Sequence, residues 1–294
     1  MNVETIGFIG FGLIGGSIAR GLRLFMPDVR LVAYNYYEDR ENPRLELAKK
    51  EQVLDEIYTE ITALSTCDWI FLCAPVRSNM AYLARLKEFL PESCILTDVG
   101  STKGDIHKVV KDLQLEKQFI GGHPMAGSEK TGYGHSSLEL LKNAYYILTP
   151  TEETPAEAIT FMEELIKQLG AIPIRLDADT HDSITAAISH VPHILSSCLV
   201  HMIMGQAEEE KMGTLAAGSF RDMSRVAASS PVMWQDICLT NAHSILPFLQ
   251  LYKEKLSLFE EALRTEDAAA LLKLFTDGKT CRDAIYHNKN TKNK

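Results

Sequence analysis

The apolar run Thr5-Ile6-Gly7-Phe8-Ile9 empties into Gly10-Phe11-Gly12-Leu13-Ile14-Gly15, and a helical pattern follows until Pro27. No other stretch restricts the fold as much. A strand, a G-x-G-x-x-G turn and a helix in that order form the dinucleotide-binding fingerprint. Gly10 permits the tight turn, Gly12 lets a pyrophosphate approach the backbone, and Gly15 lets the helix pack closely on the sheet. Leu13 and Ile14 open the helix, whose unpaired N–H groups and positive dipole end suit phosphate. Gly10, Gly12, Leu13, Ile14 and Gly15 are therefore candidate cofactor-binding residues.

The chain then alternates apolar strands with helical segments. Residues 29–34 read as a strand ending at Asn35. An acidic residue commonly stands there to hold the ribose of NAD. Asn35 would not repel a 2′-phosphate and Arg40 can reach one, while Glu38 and Asp39 oppose it, so NAD is expected and NADP is not excluded. Residues 67–75 form a strand ending at Ala74-Pro75, with a helix over 78–90 that Pro91 stops. Residues 94–99 form the next strand, leading into Gly100-Ser101-Thr102-Lys103-Gly104. Phe119-Ile120 leads into Gly121-Gly122-His123-Pro124-Met125-Ala126-Gly127. Such alternation predicts a parallel, doubly wound α/β sheet of Rossmann type, in which ligands bind at the carboxyl ends of strands. Gly10, Asn35, Ala74, Pro75, Ser101 and His123 all fall at such ends. His123 also has the ordinary titration range of a general base. Two more strands, 145–148 and 171–174, flank a helix over 155–169.

After Leu176 only helical patterns remain, which sets the expected domains at 1–176 (dinucleotide-binding) and 177–294 (all-helical). A helix over 180–204 carries Ser189-His190-Val191-Pro192-His193, with the two histidines on one face and a proline expected to kink it. Phe220-Arg221-Asp222-Met223-Ser224-Arg225 offers arginines able to clamp a carboxylate. Ser230-Pro231 is a cap followed by a first-turn proline. Helices are expected over 231–263 and 267–286, with apolar stripes suited to a subunit interface and a polar, frayed tail over 287–294.

Composition narrows the partners. The net charge is -9, which argues against a general nucleic-acid binder and makes an anionic substrate depend on a local cationic cluster. The six scattered cysteines form no C-x-x-C pair, so buried free thiols in a reducing compartment are expected. No basic leader opens the chain, and no uninterrupted apolar run of about 18 residues could span a bilayer. A cytoplasmic protein without membrane attachment is expected, and no metal-ligand spacing occurs.

With these motifs assembled, the chain resembles the prephenate dehydrogenase family, which includes the arogenate dehydrogenases. The resemblance rests on the glycine fingerprint, Asp98-Val99-Gly100-Ser101-Thr102-Lys103, Gly122-His123-Pro124-Met125-Ala126-Gly127, Ser189-His190-Val191-Pro192-His193 and Phe220-Arg221-Asp222-Met223-Ser224-Arg225. It implies a Rossmann-type domain followed by an all-helical dimerisation domain, and oxidative decarboxylation of prephenate with NAD(P)⁺ in tyrosine biosynthesis. It also implies that His123 is the catalytic histidine and that Ser101 holds it in line with the substrate. His193, Arg225, Ser128, Glu129, Asp222 and Trp234 are implied on the substrate side. Arogenate is the alternative substrate, and any feedback control by tyrosine is expected to act at or near the active site, since the chain leaves no room for a regulatory domain after the helices. No chorismate mutase segment precedes the fingerprint. Rival readings are a β-hydroxyacid dehydrogenase or imine reductase of similar layout, against which His123 speaks, and a nucleotide-binding protein without catalysis.

Overall fold

The computed structural model describes residues 3–37, 39–128 and 130–292. In chain order its first elements are β1 (Thr5–Ile9), α1 (Leu13–Phe25), β2 (Arg30–Tyr34), α2 (Pro43–Lys50), β3 (Glu56–Tyr58), β4 (Trp69–Leu72), α3 (Val76–Lys87), β5 (Ile95–Asp98), α4 (Gly104–Asp112), β6 (Phe119–Pro124), β7 (Tyr145–Pro150), α5 (Ala156–Gln168) and β8 (Ile172–Arg175). The strands form one sheet in the order β3-β2-β1-β4-β5-β6-β7-β8. Strands read as unbroken apolar runs because both faces are covered. In β4, Trp69 and Phe71 join a core with Ile18 and Leu22 of α1 and Met162 and Leu165 of α5. Ile70 and Leu72, pointing the other way, pack with Leu83 and Leu86 of α3 and Ile106 and Val110 of α4.

The all-parallel expectation fails at one place. β6 and β7 pair antiparallel, and β8 runs parallel to β7. Among the described residues no crossover helix lies between β6 and β7, only short 3-10 turns, and without a crossover the chain returns antiparallel. β3 was not anticipated, since three residues carry too little alternation to read. The parallel ladder from β2 to β6 is intact, so the ends of β1, β2, β4, β5 and β6 share one edge.

The helical part comprises α6 (Ala178–Thr185), a π-turn at Ala186–His190, α7 (Val191–Ile203), α8 (Glu209–Leu215), α9 (Gly218–Ser224), α10 (Pro231–Thr240), α11 (Ala242–Arg264) and α12 (Ala268–Lys292). The helix expected over 180–204 is present, but Pro192 is accommodated by the wide π-turn just before it. That turn gives the pyrrolidine room where an α-turn would press it against the preceding carbonyl. Within Ala178–Ile203 one 18-residue window has mean hydropathy 1.3, long and apolar enough by length and composition to cross a bilayer. In this fold its beginning is bonded to the start of α4, where the Asp182 carboxylate accepts the backbone N–H groups of Lys103 and Gly104.

The single helix expected over 231–263 is two helices. Asn241 leaves helical geometry at the end of α10, and its buried side-chain amide donates to the Asp182 carbonyl and bonds His190. Of the tail expected to fray, 287–292 continue α12, with no proline or glycine after Gly278 to stop it. Two compact units result, Met1–Ser244 and Ile245–Lys294. The helices up to Ser244 group with the sheet because buried polar bonds join them: Asp182 to the start of α4, and Thr102 Oγ1 to Thr240 Oγ1 at 2.9 Å. We propose that the functional division still follows the change in pattern near Leu176.

Candidate active site

The glycine turn has the shape that phosphate binding requires. Gly10 has φ +82°, and a Cβ there would stand 2.5 Å from the Ala74 nitrogen, so a side chain is barred on both counts. A Cβ on Gly12 would meet nothing within 4 Å, leaving open space beside the α1 N-terminus. A Cβ on Gly15 would lie 2.9 Å from the Gly10 carbonyl oxygen and 3.1 Å from Cys73 Cβ, so close helix–sheet packing needs glycine there. Across the turn, buried Asn79 fixes the end of β4: it accepts from Ala74 N–H and donates to the Leu72 carbonyl. That arrangement fits the pyrophosphate of a dinucleotide. Asn35 is occupied by its own loop. Its Nδ2 donates to the Arg40 carbonyl at 2.9 Å and its Oδ1 accepts from Tyr37 N–H at 3.0 Å. The Arg40 guanidinium sits 4.3 Å over the Tyr37 ring.

His123 lies near the end of β6 with 9% exposure. The strand is positioned by Asp98, whose Oδ1 accepts Gly122 N–H at 3.1 Å and whose Oδ2 accepts Gly100 N–H at 2.8 Å. Lys103 Nζ completes that set, forming an ion pair with Asp98 in which both side chains are fully buried. His123 Nδ1 stands 2.8 Å from His181 Nε2, and His181 Nδ1 stands 2.8 Å from Asp182 Oδ1. Burial holds the His123 imidazole well below its ordinary 6.5, with His181, Lys103 and His190 acting in the same direction. It is therefore neutral at pH 7.

His190 connects this group to a second one. Its Nδ1 accepts from the Asn241 amide at 3.1 Å, and its ring meets the Trp234 indole edge to face at 5.9 Å. Burial pushes its pKa down to about 4. His193 stacks on Trp234 at 3.7 Å and donates from Nδ1 to the Ser189 carbonyl at 2.9 Å, which leaves Nε2 unengaged. Arg225 lies near enough to lower the His193 pKa, and among the described residues it has no ion-pair partner. An aromatic wall, a free imidazole nitrogen and an unpaired guanidinium thus stand beside the His123 group.

Not every candidate joins it. Ser101 is half-buried after β5 and makes no hydrogen bond to His123, whose Nδ1 is taken by His181 instead. Ser128 is exposed and accepts from Lys130 N–H within its own turn. Asp222 is exposed, with Arg221 3.9 Å away. Glu129, like Glu38, lies outside the described residues. Leu13 and Ile14 open α1 as expected, Ala74 faces the Gly10 turn, and Pro75 stands at the start of α3. Sequence reasoning passed over His181, Asp182 and Asn241. The available signal was the His181-Asp182 pair directly before the long apolar run that follows, since buried polar groups need partners.

Similarity to known proteins agrees with this geometry. Residues 18–174 match the family model described as prephenate dehydrogenase, nucleotide-binding domain, and residues 177–277 match prephenate dehydrogenase, dimerization domain. The cyclohexadienyl dehydrogenase of Zymomonas mobilis is 33% identical over 96% of both chains. The prephenate dehydrogenase of Bacillus subtilis is 33% identical over 96% of this chain and 76% of its own. Among solved structures, prephenate dehydrogenase from A. aeolicus, in complex with hydroxyphenyl propionate and NAD+, superposes with a TM-score of 0.88 at 28% identity, covering 97% of this chain and 99% of that one. Synechocystis arogenate dehydrogenase superposes with a TM-score of 0.81 at 30% identity, over 96% of this chain and all of its own. With its glycine turn, its NAD-binding fold and both family models matched along nearly its whole length, the chain belongs to the prephenate dehydrogenase family.

Proposed function

We propose that the chain is a prephenate dehydrogenase, converting prephenate to 4-hydroxyphenylpyruvate and carbon dioxide with NAD⁺. The observation that carries this reading is a neutral His123 at the strand edge that also bears the phosphate turn, with His193, Trp234 and Arg225 gathered beyond it. When bound, NAD accepts the hydride from the carbinol carbon. His123 takes the hydroxyl proton as that hydride leaves. The bond to the ring carboxylate then breaks as carbon dioxide departs, its electron pair restores the aromatic ring, and the oxygen regains the proton from His123. Arg225 anchors a carboxylate of the substrate, supplying the local positive charge that an acidic chain otherwise lacks. His193, stacked on Trp234, offers Nε2 to the substrate. His123, His193, Arg225 and Trp234 make up the proposed site, and Ser101, Ser128, Glu129 and Asp222 belong to it only as the family resemblance implies. Gly10, Gly12, Leu13, Ile14, Gly15, Ala74 and Pro75 would hold the cofactor, with Asn35 shaping the loop at its ribose end.

Arogenate is the second reading, favoured by the likeness to an arogenate dehydrogenase and to a cyclohexadienyl dehydrogenase. Cofactor preference rests on the same loop: Asn35 has no charge to repel a 2′-phosphate, and Arg40 stands nearby. The test is the appearance of reduced cofactor in a grid of prephenate or arogenate with NAD or NADP. Turnover of prephenate with NAD at the highest kcat/KM supports the proposal. A preference for arogenate replaces it with the second reading, and no turnover in any cell rejects both. We propose further that the chain is a cytoplasmic homodimer joined through its helical part, where Leu246, Leu256, Leu263, Leu272 and Phe275 are exposed, and that tyrosine inhibits by occupying the substrate site.

Two predictions arise here. Since burial keeps His123 well below 6.5, the competent neutral form persists on mild acidification. The pH profile of kcat/KM for prephenate should be flat through pH 6.5 and fall only in more acid solution, as the base protonates. An acidic limb centred at or above pH 6.5 would refute this. Arg225→Gln removes a charge-assisted bond worth roughly 1.5–3 kcal/mol, so KM for prephenate should rise about 10–100-fold. A variant that changed kcat alone would count against the carboxylate clamp.

A further inference from the structure

The proton on the His123–His181 bond can be assigned from the far end of the chain of bonds. The Asp182 carboxylate accepts Lys103 N–H at 2.8 Å and Gly104 N–H at 2.7 Å, at the N-terminus of α4. An ionised carboxylate has no proton to give, and this one is kept ionised by those two donors and the helix end. His181 Nδ1, 2.8 Å from Asp182 Oδ1, is therefore the donor in that bond. A neutral His181 then presents only a lone pair at Nε2. Its partner at 2.8 Å, His123 Nδ1, must carry the hydrogen. A neutral His123 with its proton on Nδ1 has its lone pair on Nε2.

We propose that His181 and Asp182 are positioning residues that hold His123 in its Nδ1–H tautomer, so that Nε2 is the atom that accepts the substrate hydroxyl proton. All three residues lie deep in the fold: His181 and Asp182 are fully buried, so water cannot compete for their bonds. Their orientation is set by α6 and α4 together, since Asp182 is bonded to the backbone of one helix start while belonging to the other. Thr185 Oγ1 also donates to the His181 carbonyl, tightening the same turn. The remaining charged neighbours are Lys103, paired with Asp98, and His190, bonded to Asn241. An imidazole in water favours the proton on Nε2, the arrangement that would point an N–H at the substrate hydroxyl and offer it no base. A fixed tautomer is the need that an orienting carboxylate meets in other histidine-based sites. The catalytic consequence rests on the dehydrogenase reading, whereas the tautomer itself does not.

The test uses the full chain labelled with ¹⁵N in its histidine rings, without substrate. Two-bond proton–nitrogen correlation spectra identify each tautomer, and His123→Asn assigns the His123 signals. The expected result is a protonated Nδ1 and an unprotonated Nε2 for His123. His181→Phe should release the ring toward the Nε2–H form and lower kcat by roughly 10²-fold, the low end of what a general base supplies, with KM for NAD unchanged. His181→Gln places an amide oxygen where Nε2 stood and should restore both the tautomer and most of kcat. A wild-type His123 carrying its proton on Nε2 overturns the proposal. So does a His181→Gln variant that recovers neither the tautomer nor kcat, or a folded His181→Phe variant with unchanged spectrum and turnover. If the wild type shows the expected tautomer yet oxidises neither prephenate nor arogenate, the functional reading fails and the positioning stands.

Discussion

His123→Asn is expected to lower kcat for prephenate by about 10²–10⁴-fold, the range of a general base, while leaving the affinity for NAD unchanged. Asparagine is the informative replacement because its amide can still donate toward His181 Nε2, so the buried network keeps a partner. What it lacks is a nitrogen lone pair able to take a proton at neutral pH. The phosphate turn is formed by Gly10, Gly12 and Gly15 against Ala74 and Cys73, without contact from His123. Turnover and cofactor binding should therefore separate. Steady-state kinetics and a direct binding titration with NAD measure the two independently. A variant with wild-type kcat would remove His123 from the mechanism.

Lys103→Met should be the most destabilising single change near the site. It strands the Asp98 carboxylate, which is fully buried and then has two backbone N–H donors but no opposite charge. Breaking a buried ion pair from one side costs about 3–5 kcal/mol, a large part of the roughly 5–15 kcal/mol that holds a typical domain together. Desolvation already pulls the Lys103 pKa below its ordinary value, and Asp98 opposes that pull, so the pair persists only because each partner answers the other. Denaturant unfolding measures the loss. Adding Asp98→Asn to Lys103→Met removes the stranded charge and should recover part of it, which a chance loss of packing at Lys103 would not show. Equal stability of the Lys103→Met variant and the wild type would refute the account.

Several features were legible before any coordinates because they depend on local chemistry. Gly10 at a positive φ, the α1 helix that follows it, and Ser230 with Pro231 opening α10 are each dictated by a few neighbouring residues. The strands β2, β4 and β5, which lead into Asn35, Ala74-Pro75 and Ser101, follow from apolar runs closed by turn residues. The sense of β7 did not follow, because a strand reads the same in either direction and only the lack of a crossover decides it. Nor did the partners of Asn35: its position at the end of β2 marks the expected ribose end, and the structure adds that its side chain bonds Arg40 and Tyr37 within the loop.

The same division runs through the site itself. His123 at a strand end, the glycine turn on the same sheet edge, and the fold that brings them together follow from periodicity and turn chemistry, which are properties of short segments. The partners of His123 do not. On a regular helix, at about 100° per residue, His190 would sit some 80° around from Asp182, eight positions earlier. The π-turn takes up one residue and reduces that offset to roughly 20°. Asn241 can then bond both, and the polar face of the helix closes on the start of α4. Sequence spacing does not reveal that extra residue, because the partners of the aligned groups, the start of α4 and Asn241, come from distant segments of the chain. The amino-acid sequence by itself determined that His123 would stand at a strand end on the edge of the glycine turn, and the tertiary structure decided that its Nδ1 is bonded to His181.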